Sequence, residues 1–279
     1  MQEAANRPLN IVVLVKHVPD AQFDRHLTGP GHTLDRSESI LSELDEYALE
    51  AALQLAEARG GEAAGNRVTA LSMGPAAAVN AVKKSLQIGA YSGVHLSDEA
   101  LAGSDAAGTS LALAAAVRAI ADADGPVDLV ISGMASTDGE TSLVPAQLAE
   151  RLQLAQVTFA SELEVADSAD GPLVKARRDG DSFTETVEAP LPALVSVTDQ
   201  ANDPRYPNFK GIMAAKKKTV RVLSLADLGI EAGQVGRDGA WTTVAASAPR
   251  PPRSQGTIIT DDGSAGVQLV DYLAAQKLI

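Results

Sequence analysis

Residues 9–15 form a run rich in valine and isoleucine, apolar but for Asn10 near its start, and runs of the same kind recur down the first half of the chain, each followed by helical spacing. A strand covered by helices on both faces reads this way, because no face is left to carry alternating polar residues. The first helical stretch starts near Ser42, spaced from Asp45 like a capping box. It lines up Leu44, Ala48, Leu49, Ala52, Leu55 and Ala56 before Gly60 and Gly61 stop it. The pattern repeats as strand 68–72, turn Met73-Gly74-Pro75 and helix 76–87, then strand 93–96 and helix 104–123, then strand 128–132 and helix 141–152. Strand and helix in alternation predict an α/β fold, a doubly wound parallel sheet with right-handed crossovers.

Beyond this point the rhythm changes. Residues 159–197 read as short strands punctuated by Asp170-Gly171-Pro172 and Asp179-Gly180-Asp181, which predicts appended antiparallel strands at one edge. Residues 220–225 read as a last strand, and 246–266, rich in Pro, Ser, Gly and Asp, as a linker of low intrinsic order. Val267, Val270, Leu273, Ala274 and Leu278 then fall at helical spacing. The expected division is an α/β domain over 1–222 and an extended C-terminal arm over 223–279. The arm's amphipathic helix needs a covering surface, on its own domain or on a partner subunit.

Composition narrows the function classes. Only 3% of the 279 residues are aromatic while alanine abounds, which suits closely packed helices over an aliphatic sheet. The absence of cysteine removes disulfides, thiolate metal sites and thiol nucleophiles. A net charge of −13 disfavours nucleic acid and anionic lipid over most of the surface, so any basic patch is local. Residues 1–8 are polar and the first apolar run is far too short to span a bilayer, so a cytoplasmic protein is expected.

Enzymatic motifs are missing. Gly29-Pro30-Gly31-His32 comes from a loop and lacks the third glycine of a dinucleotide fingerprint, and there is no Walker loop. His17, His26, His32 and His95 show no metal-ligand spacing, and no G-x-S-x-G elbow exists. What remains is the turn G-M-A-S-T-D-G-E-T-S over 133–142, which leaves a strand and opens a helix. Gly139 permits close backbone approach, and Thr141 and Ser142 offer hydroxyls where a helix N-terminus would attract a phosphate. The competing reading makes Thr141 or Ser142 a plain N-cap, with Asp138 and Glu140 on a solvated turn.

The segment 202–218, N-D-P-R-Y-P-N-F-K-G-I-M-A-A-K-K-K, carries most information. Pro204 and Pro207 hold it extended, Phe209 sits at its tip, and a short helix after Gly211 ends in Lys216, Lys217 and Lys218. An aromatic beside a cationic helix in an acidic protein reads either as a docking device or as a buried ring beside a solvated face.

This segment resembles the signature of the electron transfer flavoprotein beta subunit, close to N-E-P-R-Y/F-P-x-x-x-G-I-M-x-A-K-K-K. The resemblance runs through N-I-V-V-L-V-K-H-V-P-D, S-T-D-G-E-T-S and V-E-A-P-L-P-A-L-V-S-V across nearly the whole chain. It implies AMP, with adenine against Leu14, Val15 and Lys16 and against Ser72, Met73 and Gly74, and phosphate at the turn bearing Gly133, Asp138, Gly139, Glu140, Thr141 and Ser142. It further implies FAD held mainly by an alpha subunit and closed over by Val18, Pro19, Asp20 and Leu44. Partner recognition falls to Arg205, Tyr206, Phe209, Ile212, Met213, Lys216 and Lys217.

The chain departs from the pattern in two places. Ser142, Leu143 and Val144 stand where many members have Asn-Gln-Thr, and Ala21 and Leu44 where Tyr and Phe can occur. Some bifurcating relatives place a second FAD in the AMP pocket and read D-G-D-T, similar to Asp138-Gly139-Glu140-Thr141 here. The implied function is that of a heterodimer subunit, not itself an enzyme, passing electrons from acyl-CoA and related flavin dehydrogenases to a membrane quinone oxidoreductase. The alternatives are that bifurcating relative, or a stand-alone AMP- or ATP-binding protein similar in fold to the universal stress proteins.

Overall fold

The computed structural model describes residues 7–29, 31–248, 250–253 and 255–279. The first six residues of the polar start, Pro30 of the Gly29-Pro30-Gly31-His32 loop, and Pro249 and Ser254 of the linker lie outside them. The chain divides into two units, Met1–Ala245 and Ala246–Ile279.

In the first unit, β1 (Asn10–Leu14) is followed by β2 (His17–Pro19), a small hairpin of β3 (Leu27–Thr28) and β4 (Thr33–Leu34), and β5 (Ser39–Leu41), which returns antiparallel to β2. Next come α1 (Glu43–Ala58), β6 (Arg67–Met73), α2 (Val79–Ile88), β7 (Ser92–Leu96), α3 (Ala106–Asp124), β8 (Leu129–Gly133) and α4 (Val144–Leu152). The second half adds β9 (Ala155–Ala160), β10 (Glu162–Ser168), β11 (Gly171–Asp179), β12 (Thr184–Pro190), β13 (Ala193–Val197), α5 (Phe209–Ala215), β14 (Val220–Leu223) and the helical turn α6 (Gly236–Gly239).

Seven strands make one parallel sheet in the order β14-β7-β6-β1-β8-β13-β9. Ile11, Val13, Val68, Ala70, Leu129 and Ile131 face Leu49 and Ala52 of α1 and Val82 and Leu86 of α2, while Val12, Leu71, Val130 and Leu194 face Leu113, Val117 and Ile120 of α3 and Leu148 of α4. Both faces of each central strand are therefore covered, which is why these strands read as continuous apolar runs. Among the described residues α3 alone is long and apolar enough to cross a bilayer, but half of it is buried within this fold.

Four expectations need correction. Antiparallel strands do fill most of 159–197, as β10, β11 and β12, yet β13 inserts in parallel between β8 and β9. Its residues are all buried, and A-L-V-S-V carries the same two-sided apolar signature as β1. Ser42 is the N-cap of α1 but no capping box forms: its side chain makes no cap bond, its amide donates to the Lys16 carbonyl, and the Asp45 carboxylate turns inward to other amides. The helix expected from 141 starts at Val144, since Glu140 and Ser142 take left-handed backbone angles that no helix can incorporate. Residues 223–240, assigned to an arm, belong with the sheet: Leu225 and Val235 are buried in its core, and the Gly236 amide donates to Ser104 Oγ at 2.8 Å.

The second unit, Ala246–Ile279, contains α7 (Ala265–Ala275), which exposes Val267, Leu269 and Val270.

Candidate functional site

From β1 the chain builds outward through β6 and β7, then crosses back to place β8 on the other flank of β1. That reversal opens a crevice at the carboxyl ends of β1 and β8, the place where open α/β sheets hold ligands. The amino end of α1 lies across it. A Cβ on Gly133 would lie 2.8 Å from the Leu44 carbonyl and 2.9 Å from Asp45 Oδ1, so glycine there is required for the helix to approach. The Asp45 carboxylate faces the amides of both Lys16, at 2.7 Å, and Gly133, and so clasps the two strand ends.

Over this clasp sits an ion cluster. Lys16 Nζ donates to Asp138 Oδ1 at 2.8 Å and to Ser136 Oγ at 3.2 Å, while Arg36 donates to Asp138 Oδ2 at 2.6 Å and to the His17 carbonyl at 3.0 Å. Burial would raise the Asp138 carboxyl, but the Lys16 charge and the bonds from Lys16, Arg36 and Ser136 outweigh it and hold it well below the usual range. Two cations against one buried carboxylate leave the cluster net positive, which suits a phosphate. Glu140 points to solvent, 3.8 Å from Arg25. Among the described residues the amides of Thr141 and Ser142 have no acceptor within the chain. Ser72 Oγ, at the carboxyl end of β6, is buried without a partner. Polar groups left open beside a cationic cluster fit an anionic nucleotide.

The structure therefore brings together Leu14, Val15, Lys16, Gly133, Asp138, Gly139, Glu140, Thr141 and Ser142, with Ser72, Met73 and Gly74 on the adjacent strand β6. Val18 and Pro19 are buried in β2, Asp20 donates its amide to the Glu38 carbonyl, and Leu44 is half-buried at the first turn of α1. Sequence reasoning missed Arg36, which lies in a loop without any pattern. It also missed the inward role of Asp45, for which a signal existed: Asp45 falls on the apolar stripe with Ala48, Leu49 and Ala52.

Burial pushes the Asp45 carboxyl up to about 7, against the Lys16 amide and charge and the Gly133 amide. Its folded value lies above its unfolded one, so Asp45 favours folding at low pH and that contribution is lost as pH rises from about 4 through about 7. Asp45→Asn keeps an acceptor for the Lys16 amide and removes the ionisation. Melting followed from pH 5 to 8 should fall less steeply in this variant than in the parent, whose Asp45 costs at most ~1.4 kcal/mol per pH unit. Parallel slopes would refute the assignment.

At a distance from the crevice, the segment 202–208 runs extended into α5, which starts at Phe209 rather than after Gly211. Asn208 caps it by accepting the Gly211 amide at 2.8 Å. Tyr206 is 88% exposed and Phe209 79%, and Ile212, Met213, Lys216 and Lys217 are exposed as well, so the buried-ring alternative for Phe209 fails. Arg205 and Lys218 behave differently. Arg205 is bound to Glu50 and Glu57, and Lys218 Nζ donates to the Ala90 carbonyl.

Comparison with known proteins gives the family of the chain. Residues 32–228 match the electron transfer flavoprotein domain. The chain is 44% identical over 272 residues to electron transfer flavoprotein subunit beta of Mycobacterium bovis, covering 97% of this chain and 99% of that protein. It is 32% identical over 279 residues to the subunit beta of Megasphaera elsdenii, covering 97% and 100% respectively. Protein FixA of Azorhizobium caulinodans is 34% identical over 224 residues, 80% of this chain and 78% of FixA.

Proposed function

The chain belongs to the electron transfer flavoprotein beta-subunit family, and we propose that it pairs with an alpha subunit to form a heterodimeric carrier between acyl-CoA-type flavin dehydrogenases and a membrane quinone oxidoreductase. FAD, held mainly by the alpha subunit, would supply the electron-carrying chemistry. This chain makes and breaks no substrate bond. Its half-buried Asp20 and Leu44 would border the flavin side of the crevice, next to Val18 and Pro19, which are buried in β2.

The crevice itself takes AMP as a structural ligand. The observation that carries this reading is the net-positive Lys16, Arg36 and Asp138 cluster beside the unengaged amides of Thr141 and Ser142. A phosphate there meets amides and cations, while the neutralised Asp138 ties the 20–38 flap to the turn through Arg36. The adenine lies against the backbone of Leu14, Val15, Lys16, Ser72, Met73 and Gly74.

Co-expression with the adjacent reading frame should give a yellow heterodimer, and its acid extract should contain about one AMP per FAD. Two FAD and no AMP would move the protein to the bifurcating alternative. A colourless homo-oligomer would favour the stand-alone nucleotide-binding reading.

A further inference from the structure

Tyr206 and Phe209 stand in solvent on a segment whose helix, α5, has seven residues, far too few to hold its own shape in water. Its shape is imposed from outside. At the entry, Asn202 Nδ2 donates to the Tyr47 carbonyl of α1 at 3.0 Å. Arg205 then commits every guanidinium nitrogen: Nε to Glu50 at 2.7 Å, Nη2 to Glu50 and to Glu57 at 2.9 Å each, and Nη1 to Glu57 at 2.6 Å. Its backbone amide adds a bond to Glu50 at 3.2 Å. In the middle, a Cβ on Gly211 would lie 2.4 Å from the Gln87 carbonyl, so α5 rests directly on the end of α2. At the exit, Lys218 Nζ reaches the Ala90 carbonyl at 2.5 Å.

The Glu50 side chain is only 5% exposed, so the Arg205 pair is half in the protein interior. A bidentate guanidinium bridging two carboxylates fixes direction as well as distance, which an ammonium cannot do. We infer that Arg205 and Lys218 are positioning residues: they clamp the two ends of the segment onto α1 and onto the α2–β7 connection, so that Tyr206, Phe209, Ile212 and Met213 are presented in a fixed pose to the partner dehydrogenase. Arg205 therefore serves docking without touching the partner. Fixing the pose before contact lowers the ordering cost of association. The inference rests on the partner-recognition role that the family resemblance implies for this segment, and the experiment separates the two.

The test uses the purified heterodimer carrying Arg205→Met, Lys218→Met, Arg205→Lys or Phe209→Ala. Hydrogen–deuterium exchange needs no partner: amides of 209–215 should exchange ~10-fold or more faster in both methionine variants, by an intermediate factor in Arg205→Lys, and at the parent rate in β1 and β8. Electron acceptance from a reduced acyl-CoA dehydrogenase of the same organism should show the apparent KM raised ~3- to 10-fold in Arg205→Met with kcat within twofold. Unchanged exchange over 209–215 in Arg205→Met overturns the clamp, whatever the kinetics. Faster exchange with KM unchanged also overturns it as a docking device. If Phe209→Ala leaves KM unchanged, the docking role itself fails, and this result does not depend on the clamp. Should Arg205→Met not assemble, Glu57→Gln, which removes only the exposed half of the clamp, should give a smaller acceleration of the same sign, and none would overturn the inference.

Discussion

Phe209→Ala is expected to raise the apparent KM for electron acceptance from a partner dehydrogenase by roughly 10- to 150-fold, and to leave FAD content and heterodimer stability unchanged. The magnitude follows from moving one large apolar side chain out of water, worth roughly 1.5 to 3 kcal/mol. The separation of effects follows from the structure, where the ring is 79% exposed and contributes nothing to the core. Lys216 and Lys217 act by a different route. Rim charges raise encounter rates, so neutralising these two should slow association at low salt and matter little once the Debye length falls below ~8 Å. Lys218 does not belong with them, because its ammonium is turned into the fold to meet the Ala90 carbonyl. Steady-state electron transfer against dehydrogenase concentration, at two ionic strengths, checks both statements. A Phe209→Ala protein that unfolds or loses flavin would show that the ring is not an anchor.

Periodicity carried the architecture because a strand covered on both faces leaves a plain mark, a short run of Val, Ile and Leu, and each helix over it leaves an apolar stripe. The same rule, applied to A-L-V-S-V, would have placed β13 inside the sheet, but the flanking Asp-Gly turns drew it into the antiparallel group. Boundaries were less legible where backbone angles, not side-chain types, decide them. Glu140 and Ser142 sit at φ of 49° and 52°, and nothing in T-D-G-E-T-S announces that two non-glycine residues will adopt such angles and delay α4. The site was legible at its strand ends, Lys16 and Gly133, since ligands of doubly wound sheets gather there. Its electrostatics were not. Asp138 reads as a turn residue open to solvent, whereas Arg36, 102 positions away in sequence, holds its second oxygen. Long-range ion pairs of this kind have no local pattern. The segment 202–218 divides the same way: its exposed residues stand out as a motif, whereas the contacts of Arg205 and Lys218 depend on Glu50, Glu57 and Ala90, which no spacing rule connects to them.

Deleting residues 246–279 should weaken binding to the alpha subunit at least ~100-fold while the remaining unit keeps its melting temperature. That unit closes its own core with Leu225 and Val235. The tail, in contrast, cannot stabilise itself. Its helix α7 has 11 residues, and isolated helices below ~12 to 15 residues are marginal in water. Val267, Leu269 and Val270 are all exposed on it, with Leu278 and Ile279 exposed beyond its end. Each such side chain contributes roughly 1.5 to 3 kcal/mol when fully covered, so covering two exceeds the ~2.7 kcal/mol that a 100-fold change in affinity requires. Sedimentation of the co-purified subunits over a dilution series would measure the change, and an unchanged dissociation constant would remove the alpha subunit as the covering surface. Val270→Asp tests the same point with the chain length kept. A tail that acted only as a tether would tolerate the aspartate, whereas a helix seated in an apolar groove would be expelled by it, and most of the loss seen on deletion should reappear in this single substitution.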